Sequence, residues 1–224
     1  MDALELLANN LANAATSGYK SDSEYYGLFV GEDSDGGTEL PLVQSQWTDF
    51  TQGTVETTGN PLNIAISGRG FLAVNGRNGP LYTRNGSLRI SPSGELVSAD
   101  GYAVRATGGE AIRVTSTRPI EISTDGSVHQ DGQLIGQLEI VDFKSTSSLK
   151  KLSGAFFQNS DPKNTPVAAT NVSIEQGKLE GSNVAVPEAA MRMVGMMRQF
   201  EMLQKTALTD GEMNRKAIEE VARV

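Results

Sequence analysis

His129 is the single histidine of a chain that contains no cysteine. Those two counts decide most of the available chemistry. Thiol nucleophiles, thiolate zinc sites, iron–sulfur clusters and disulfides are excluded. Metal centres built from several histidines are excluded as well. His129 remains as the one base for a histidine-dependent triad. Its setting, Val128-His129-Gln130-Asp131, reads as a polar hairpin, where a solvated turn residue is the plainer interpretation. The run Glu32-Asp33-Ser34-Asp35-Gly36-Gly37 has the acidity of a calcium loop. It fails the spacing, because the fifth position from Asp33 is Gly37 and no glycine follows at the sixth. Ser67-Gly68-Arg69-Gly70 is too short for a phosphate loop and lacks its Lys-Ser/Thr ending, so it reads as a turn opening a strand. Carboxylate pairs for glycoside hydrolysis form in space, and no spacing here points to one. An aromatic sugar platform is improbable with Trp47 as the only tryptophan. The sequence therefore assigns no catalytic residue, no metal and no cofactor.

The chemistry that remains is that of surfaces. The chain has 224 residues, with 19 basic against 27 acidic side chains and a net charge of −8. That balance argues against nucleic acid as a partner, since phosphate neutralisation needs a basic face. No run reaches the roughly 18 apolar residues of a membrane span. The first residues do not resemble a secretory signal: Asp2 and Glu5 are acidic, and Asn9, Asn10 and Asn13 interrupt the apolar positions.

Residues 3–15 carry apolar side chains at helical spacing: Leu4, Leu7, Ala8, Leu11, Ala12 and Ala15. Gly18 stands where a C-terminal cap is expected. Residues 40–58 read as extended chain. Residues 59–143 are dense in turn pairs, among them Asn78-Gly79, Asp100-Gly101, Asp125-Gly126 and Asp131-Gly132. Short strand-like runs lie between them, from Leu62–Ile66 to a long one over Leu134–Phe143, and no βαβ rhythm appears. Residues 144–180 read as polar loops with a last strand near Val172–Glu175. A long helix is expected from about Pro187 to Val221, with Asn183 in its N-cap region and Glu188 in its first turn. The predicted fold is mainly β with terminal α-helices: an antiparallel sandwich or barrel-like body, poor in aromatic core, and two helices forming a coiled-coil-type assembly region. The expected segments are 1–20 (N-terminal assembly helix), 21–58 (extended connection), 59–180 (β-rich body) and 181–224 (C-terminal assembly helix).

Six of the seven methionines fall in the last segment. Val186, Ala190, Met193, Met197, Phe200 and Ala207 make one stripe, and Val194, Met196, Leu203 and Leu208 widen it. A helix with more apolar surface than one seam wants more than one neighbour. Methionine suits packing against partners that are similar but not identical. Leu4, Leu7 and Leu11 with Ala190, Met193, Met197 and Phe200 are accordingly the expected assembly residues.

Four motifs then carry a resemblance. The run Asn9-Asn10-Leu11-Ala12-Asn13-Ala14-Ala15-Thr16-Ser17-Gly18-Tyr19-Lys20 resembles the N-terminal signature of the bacterial flagellar axial proteins of rod and hook. The run from Thr58 to Val74 and the run Leu81-Tyr82-Thr83-Arg84-Asn85-Gly86-Ser87-Leu88 are similar to the rod and hook branch. Leu179-Glu180-Gly181-Ser182-Asn183-Val184 resembles the C-terminal signature. Arg198-Gln199-Phe200-Glu201-Met202 is closer to the proximal-rod type than to the distal-rod type, the alternative being a distal-rod or hook-type protein. The resemblance implies a non-enzymatic subunit of the drive shaft, assembling with itself and other rod subunits, and with rod-adjacent rings and the export apparatus as further contacts. It implies a place in the periplasmic rod, reached by flagellar type III export without a cleaved signal. Members carry further helical turns before the Asn-Asn-Leu-Ala-Asn motif, so a start cut short and a weakened assembly are expected here. A carbohydrate-active or cell-wall-binding β protein is the rival from another class.

Overall fold

The computed structural model describes residues 2–29, 40–114 and 118–221. The acidic run Glu32–Gly37 lies outside the described residues. The chain divides into two units, one of Met1–Leu11 with Ala185–Val224 and one of Ala12–Val184.

Chain order begins with α1 (Asp2–Ala12), β1 (Asp22–Phe29), β2 (Leu40–Thr48), β3 (Val55–Thr57), β4 (Ile64–Gly68), β5 (Phe71–Gly76) and β6 (Gly79–Thr83). It continues with β7 (Leu88–Ile90), β8 (Leu96–Ser98), β9 (Ala103–Val104), β10 (Ile120–Ile122), β11 (Ser127–Gln130), β12 (Gln133–Gln137) and β13 (Ile140–Asp142). It closes with β14 (Leu149–Ser153), β15 (Phe156–Asn159), β16 (Val167–Ala168), β17 (Val172–Gln176), β18 (Lys178–Glu180) and α2 (Val186–Val221).

All pairings between these strands are antiparallel. The main sheet runs β14-β15-β6-β5-β9-β8-β7, with β13 joined to β5 and β16 to β13. A three-stranded sheet, β10-β11-β12, and the pairs β1-β2, β17-β4 and β18-β3 complete the body. The sheet is open, so the architecture is layered and not a closed barrel.

The reason for the layers lies in β5. Side chains alternate between the two faces of a strand. Leu72 and Val74 enter one apolar cluster, with Ile64, Ile66, Leu96, Ile112 and Ile174. Phe71 and Ala73 enter a second, with Val141, Phe143 and Leu149. Leu81 and Tyr82 on β6, and Phe156 and Phe157 on β15, divide between the clusters in the same way. The second cluster corrects the expectation of little aromatic core. Tyr82 packs edge-on to Phe143 at 4.8 Å between ring centroids, and Phe50 to Phe71 at 5.4 Å. Few aromatics are present, but they are gathered.

Other expectations are corrected too. The first helix ends at Ala12, so Gly18 is not its cap. His129 lies in β11, between Glu121 of β10 and Leu134 of β12, and not in a turn. The turn is the next pair, Asp131 and Gly132, with φ of 53° and 75°. Both left-handed values suit a two-residue hairpin that twists with its strands. The single strand expected over Leu134–Phe143 is two, β12 and β13. Residues 149–159, expected as loop, form β14 and β15.

Candidate assembly surface and terminal clasp

Helix α2 runs 36 residues, about 54 Å at 1.5 Å per residue. Glu188 lies in its first turn, where the helix dipole favours an acid, and pairs with Arg192 at 2.8 Å. Ala189 is buried, and Ala190, Met193 and Met196 are half-buried. Beyond that turn the apolar side chains open to solvent. Met197 is 48 % exposed and Phe200 51 %, and Val194, Leu203 and Leu208 are exposed with them. On α1, Leu7 is buried, while Leu4 and Leu11 are half-buried. The apolar surface left uncovered is thus concentrated on α2. Each such side chain would gain about 1.5–3 kcal/mol on full burial. Water is therefore a poor final neighbour for this helix.

The body holds a second feature that local patterning does not reveal. Lys20, Arg84 and Glu180 are all buried. The Lys20 Nζ donates to Glu180 Oε1 at 2.5 Å and to the Thr51 carbonyl at 2.6 Å. The Gly53 N–H donates to the same carboxylate oxygen at 3.0 Å. Arg84 donates to Glu180 Oε2 at 3.3 Å and to the carbonyls of Ile66 and Gly68 at 3.0 and 2.6 Å. Two cations thus share one carboxylate in a site closed to water. Burial holds the Lys20 ammonium and the Arg84 guanidinium below their ordinary values, and the Glu180 carboxylate opposes that shift.

Backbone bonds tighten the same spot. The Gly18 N–H donates to the Glu180 carbonyl at 2.7 Å, and the Gly181 N–H to the Thr54 carbonyl at 2.8 Å. Gly18 has φ +68°, and a Cβ there would overlap the backbone of Arg84 and Asn85. Only glycine fits that approach. Asn183 does not cap α2, which starts at Val186. Its side chain accepts from the Ser21 N–H at 2.7 Å and donates to the Asp49 carbonyl at 2.8 Å. Lys151 of β14 closes the outer side, bonding Asp22 and the Lys20 carbonyl at 2.6 Å each. Its ammonium also lies 4.1 Å from the ring centroid of Tyr19. Residues 18–22 and 180–183, some 160 positions apart, are therefore clasped together within the body. These are the segments that follow α1 and precede α2 in the chain.

Comparison with known proteins bears on both features. Residues 65–130 match the family model described as the flagellar hook protein FlgE/F/G D1 domain. Residues 175–220 match the model for the flagellar basal body rod FlgEFG protein C-terminal region. Flagellar basal-body rod protein FlgF of Caulobacter vibrioides is 29 % identical, over 99 % of this chain and 92 % of its own. Flagellar basal-body rod protein FlgG of Buchnera aphidicola subsp. Acyrthosiphon pisum is also 29 % identical, over 95 % of this chain and 92 % of its own. FlgF of Mesorhizobium japonicum is 27 % identical, over 93 % and 89 %. The chain belongs to the flagellar basal-body rod protein family.

In this rod-family chain, the motif residues divide between two settings. Gly18, Gly181 and Asn183 meet in the clasp, with Lys20, Arg84 and Glu180 at its centre. Ser182 turns its hydroxyl to the Val184 N–H at 3.3 Å. Asn9, Asn10, Leu11, Ala12 and Asn13 lie on or just after α1, where Asn10 is buried and the Asn13 side chain accepts from Thr16. Sequence reasoning named Gly18, Gly181 and Asn183 as motif positions but missed Lys20, Arg84 and Glu180 as a group. The available signal was three charged residues inside motifs otherwise built of small and apolar types. His129 and Trp47 stand apart from both features, in β11 and β2. Relatives give the carbohydrate-binding alternative no support.

Proposed function

We propose that α2, together with α1, is the polymer contact of this rod protein, and that the clasp fixes where both helical ends join the body. The chain is a structural subunit of the bacterial flagellar basal-body rod and works with other rod components. The observation that carries the reading is the run of exposed apolar side chains from Val194 to Met213 on a single helix. Surface of that kind marks an assembly face, and a face that repeats without closing a ring makes a filament. Leu4, Leu7 and Leu11 on one side, and Ala190, Met193, Met197 and Phe200 on the other, are the contacts we assign, in a coiled-coil-type packing of neighbouring subunits. The work is mechanical and not enzymatic: torque passes from motor to hook through these contacts. The rod lies in the periplasm, is reached by flagellar type III export without a cleaved signal, and touches the surrounding rings.

Arg198-Gln199-Phe200-Glu201-Met202 supports the proximal-rod type. FlgG relatives match with the same identity as FlgF relatives, which favours the distal-rod type as the second reading. Rescue of a proximal-rod mutant and not of a distal-rod mutant by this gene decides between them. For the assembly surface the test is Met197→Glu or Phe200→Glu. Each variant is expected to keep the melting temperature of the body and to lose incorporation into rods. Normal incorporation of both overturns the reading.

A further inference from the structure

Sulfur in this chain is confined almost entirely to one element. Of seven methionines, all but Met1 lie on α2, and there is no cysteine. Residues 12–184 contain no sulfur at all. Three of the α2 methionines, Met191, Met202 and Met213, recur every eleven residues. Eleven residues are three helical turns plus about 20°, so these side chains form a nearly straight line. The line spans about 33 Å of the helix. Its members are 70 %, 63 % and 63 % exposed. Met193 and Met196, on the opposite side, are half-buried.

We propose that Met191, Met202 and Met213 form an oxidation site through which hydroperoxides control assembly. The step is a two-electron oxidation. The thioether sulfur attacks the distal oxygen of hydrogen peroxide, the O–O bond breaks, and the products are methionine sulfoxide and water. Exposure sets which thioethers react first. The reverse step belongs to dithiol-driven sulfoxide reductases, which return the oxygen as water while the dithiol becomes a disulfide. The product side chain is strongly polar. Placed in an interface of apolar side chains, its oxygen loses water without gaining a donor. The line thus converts a chemical change at three exposed atoms into loss of a helix–helix contact. That consequence rests on α2 being the polymer contact.

The test has two arms. The full chain is treated with graded hydrogen peroxide and digested, and the sulfoxide fraction at each methionine is read by mass spectrometry. Met191, Met202 and Met213 are expected to oxidise several-fold faster than Met193 and Met196; equal rates overturn the proposal. Trp47, exposed on the body, is an internal control, because peroxide at these doses spares indoles. In the second arm, incorporation into rods is compared before and after peroxide. The parent is expected to fall by about tenfold and to recover with a sulfoxide reductase. The triple variant Met191→Leu, Met202→Leu, Met213→Leu is expected not to respond to peroxide. Full incorporation of oxidised parent overturns the proposal. If Phe200→Glu also incorporates, the failure belongs to α2 as the assembly face. If Phe200→Glu is excluded while oxidised protein enters, it belongs to the oxidation site alone.

Discussion

Glu180 neutralises part of a buried site that would otherwise hold two bare cations. Taking charge out of water costs several kcal/mol per ion, and the cost is recovered only while the pairing is intact. Glu180→Gln leaves Lys20 and Arg84 facing a neutral amide. The body should lose about 3–5 kcal/mol, read as a lower urea midpoint with an unchanged slope. A loss below about 1 kcal/mol, the usual value for exposed pairs, would mean that water reaches the site. Tyr19 gives a second residue-scale expectation. Burial, with Asp22 adding, pushes its hydroxyl up to about 12 from 10.0. Between those values the folded chain holds the proton more tightly than the unfolded chain, so stability falls as pH rises through that window. The fall is on the order of 2–3 kcal/mol by pH 12. Lys20 and Lys151, lowered by burial, act in the opposite sense below about pH 10.5. Comparing parent with Tyr19→Phe isolates the tyrosine: the variant should show a shallower loss between pH 10 and 12. Identical slopes would contradict this account. At this scale the sequence was partly legible. Each clasp residue sits in a short motif, but a carboxylate at 180 meeting a lysine at 20 is a tertiary event, and no local period announces it.

The elements divide by how they are stabilised. Helix α2 was legible because its apolar and acidic positions follow a 3.6-residue period over 36 residues. Strands β14 and β15 were not, for a physical reason. Phe156 and Phe157 enter different clusters, so both faces of β15 are buried and no polar alternation marks it. In β14 the adjacent Lys150 and Lys151 suggest solvent, yet Lys151 turns onto Tyr19 and Asp22. The weak points of α2 are Gly195 and Gly211, around which an added Cβ meets open space. Gly195→Ala and Gly211→Ala should each favour the helix by about 1 kcal/mol. The measurement is ellipticity at 222 nm across a thermal ramp on the free chain, where helical signal should persist to higher temperature. A lower helical signal would show that the glycines serve a bend and not an ordinary helical turn.

At the scale of the molecule, two kinds of stability are joined in one chain. Residues 12–184 bury two apolar clusters and a charged clasp, whereas α2 carries Met197, Phe200, Leu203 and Leu208 in water. Local opening is governed by how much apolar surface a segment buries. The open helix is therefore expected to exchange its amide hydrogens quickly while the body exchanges slowly, and assembly should abolish the difference. The most direct measurement is hydrogen–deuterium exchange by mass spectrometry on the free chain and on the chain incorporated in rods. The account predicts fast exchange over residues 194–213 in the free chain and strong protection of the same residues in the rod, with little change in β4–β6. Equal protection of 194–213 in the two states would contradict it, because the helix would then have completed its packing before any neighbour arrived.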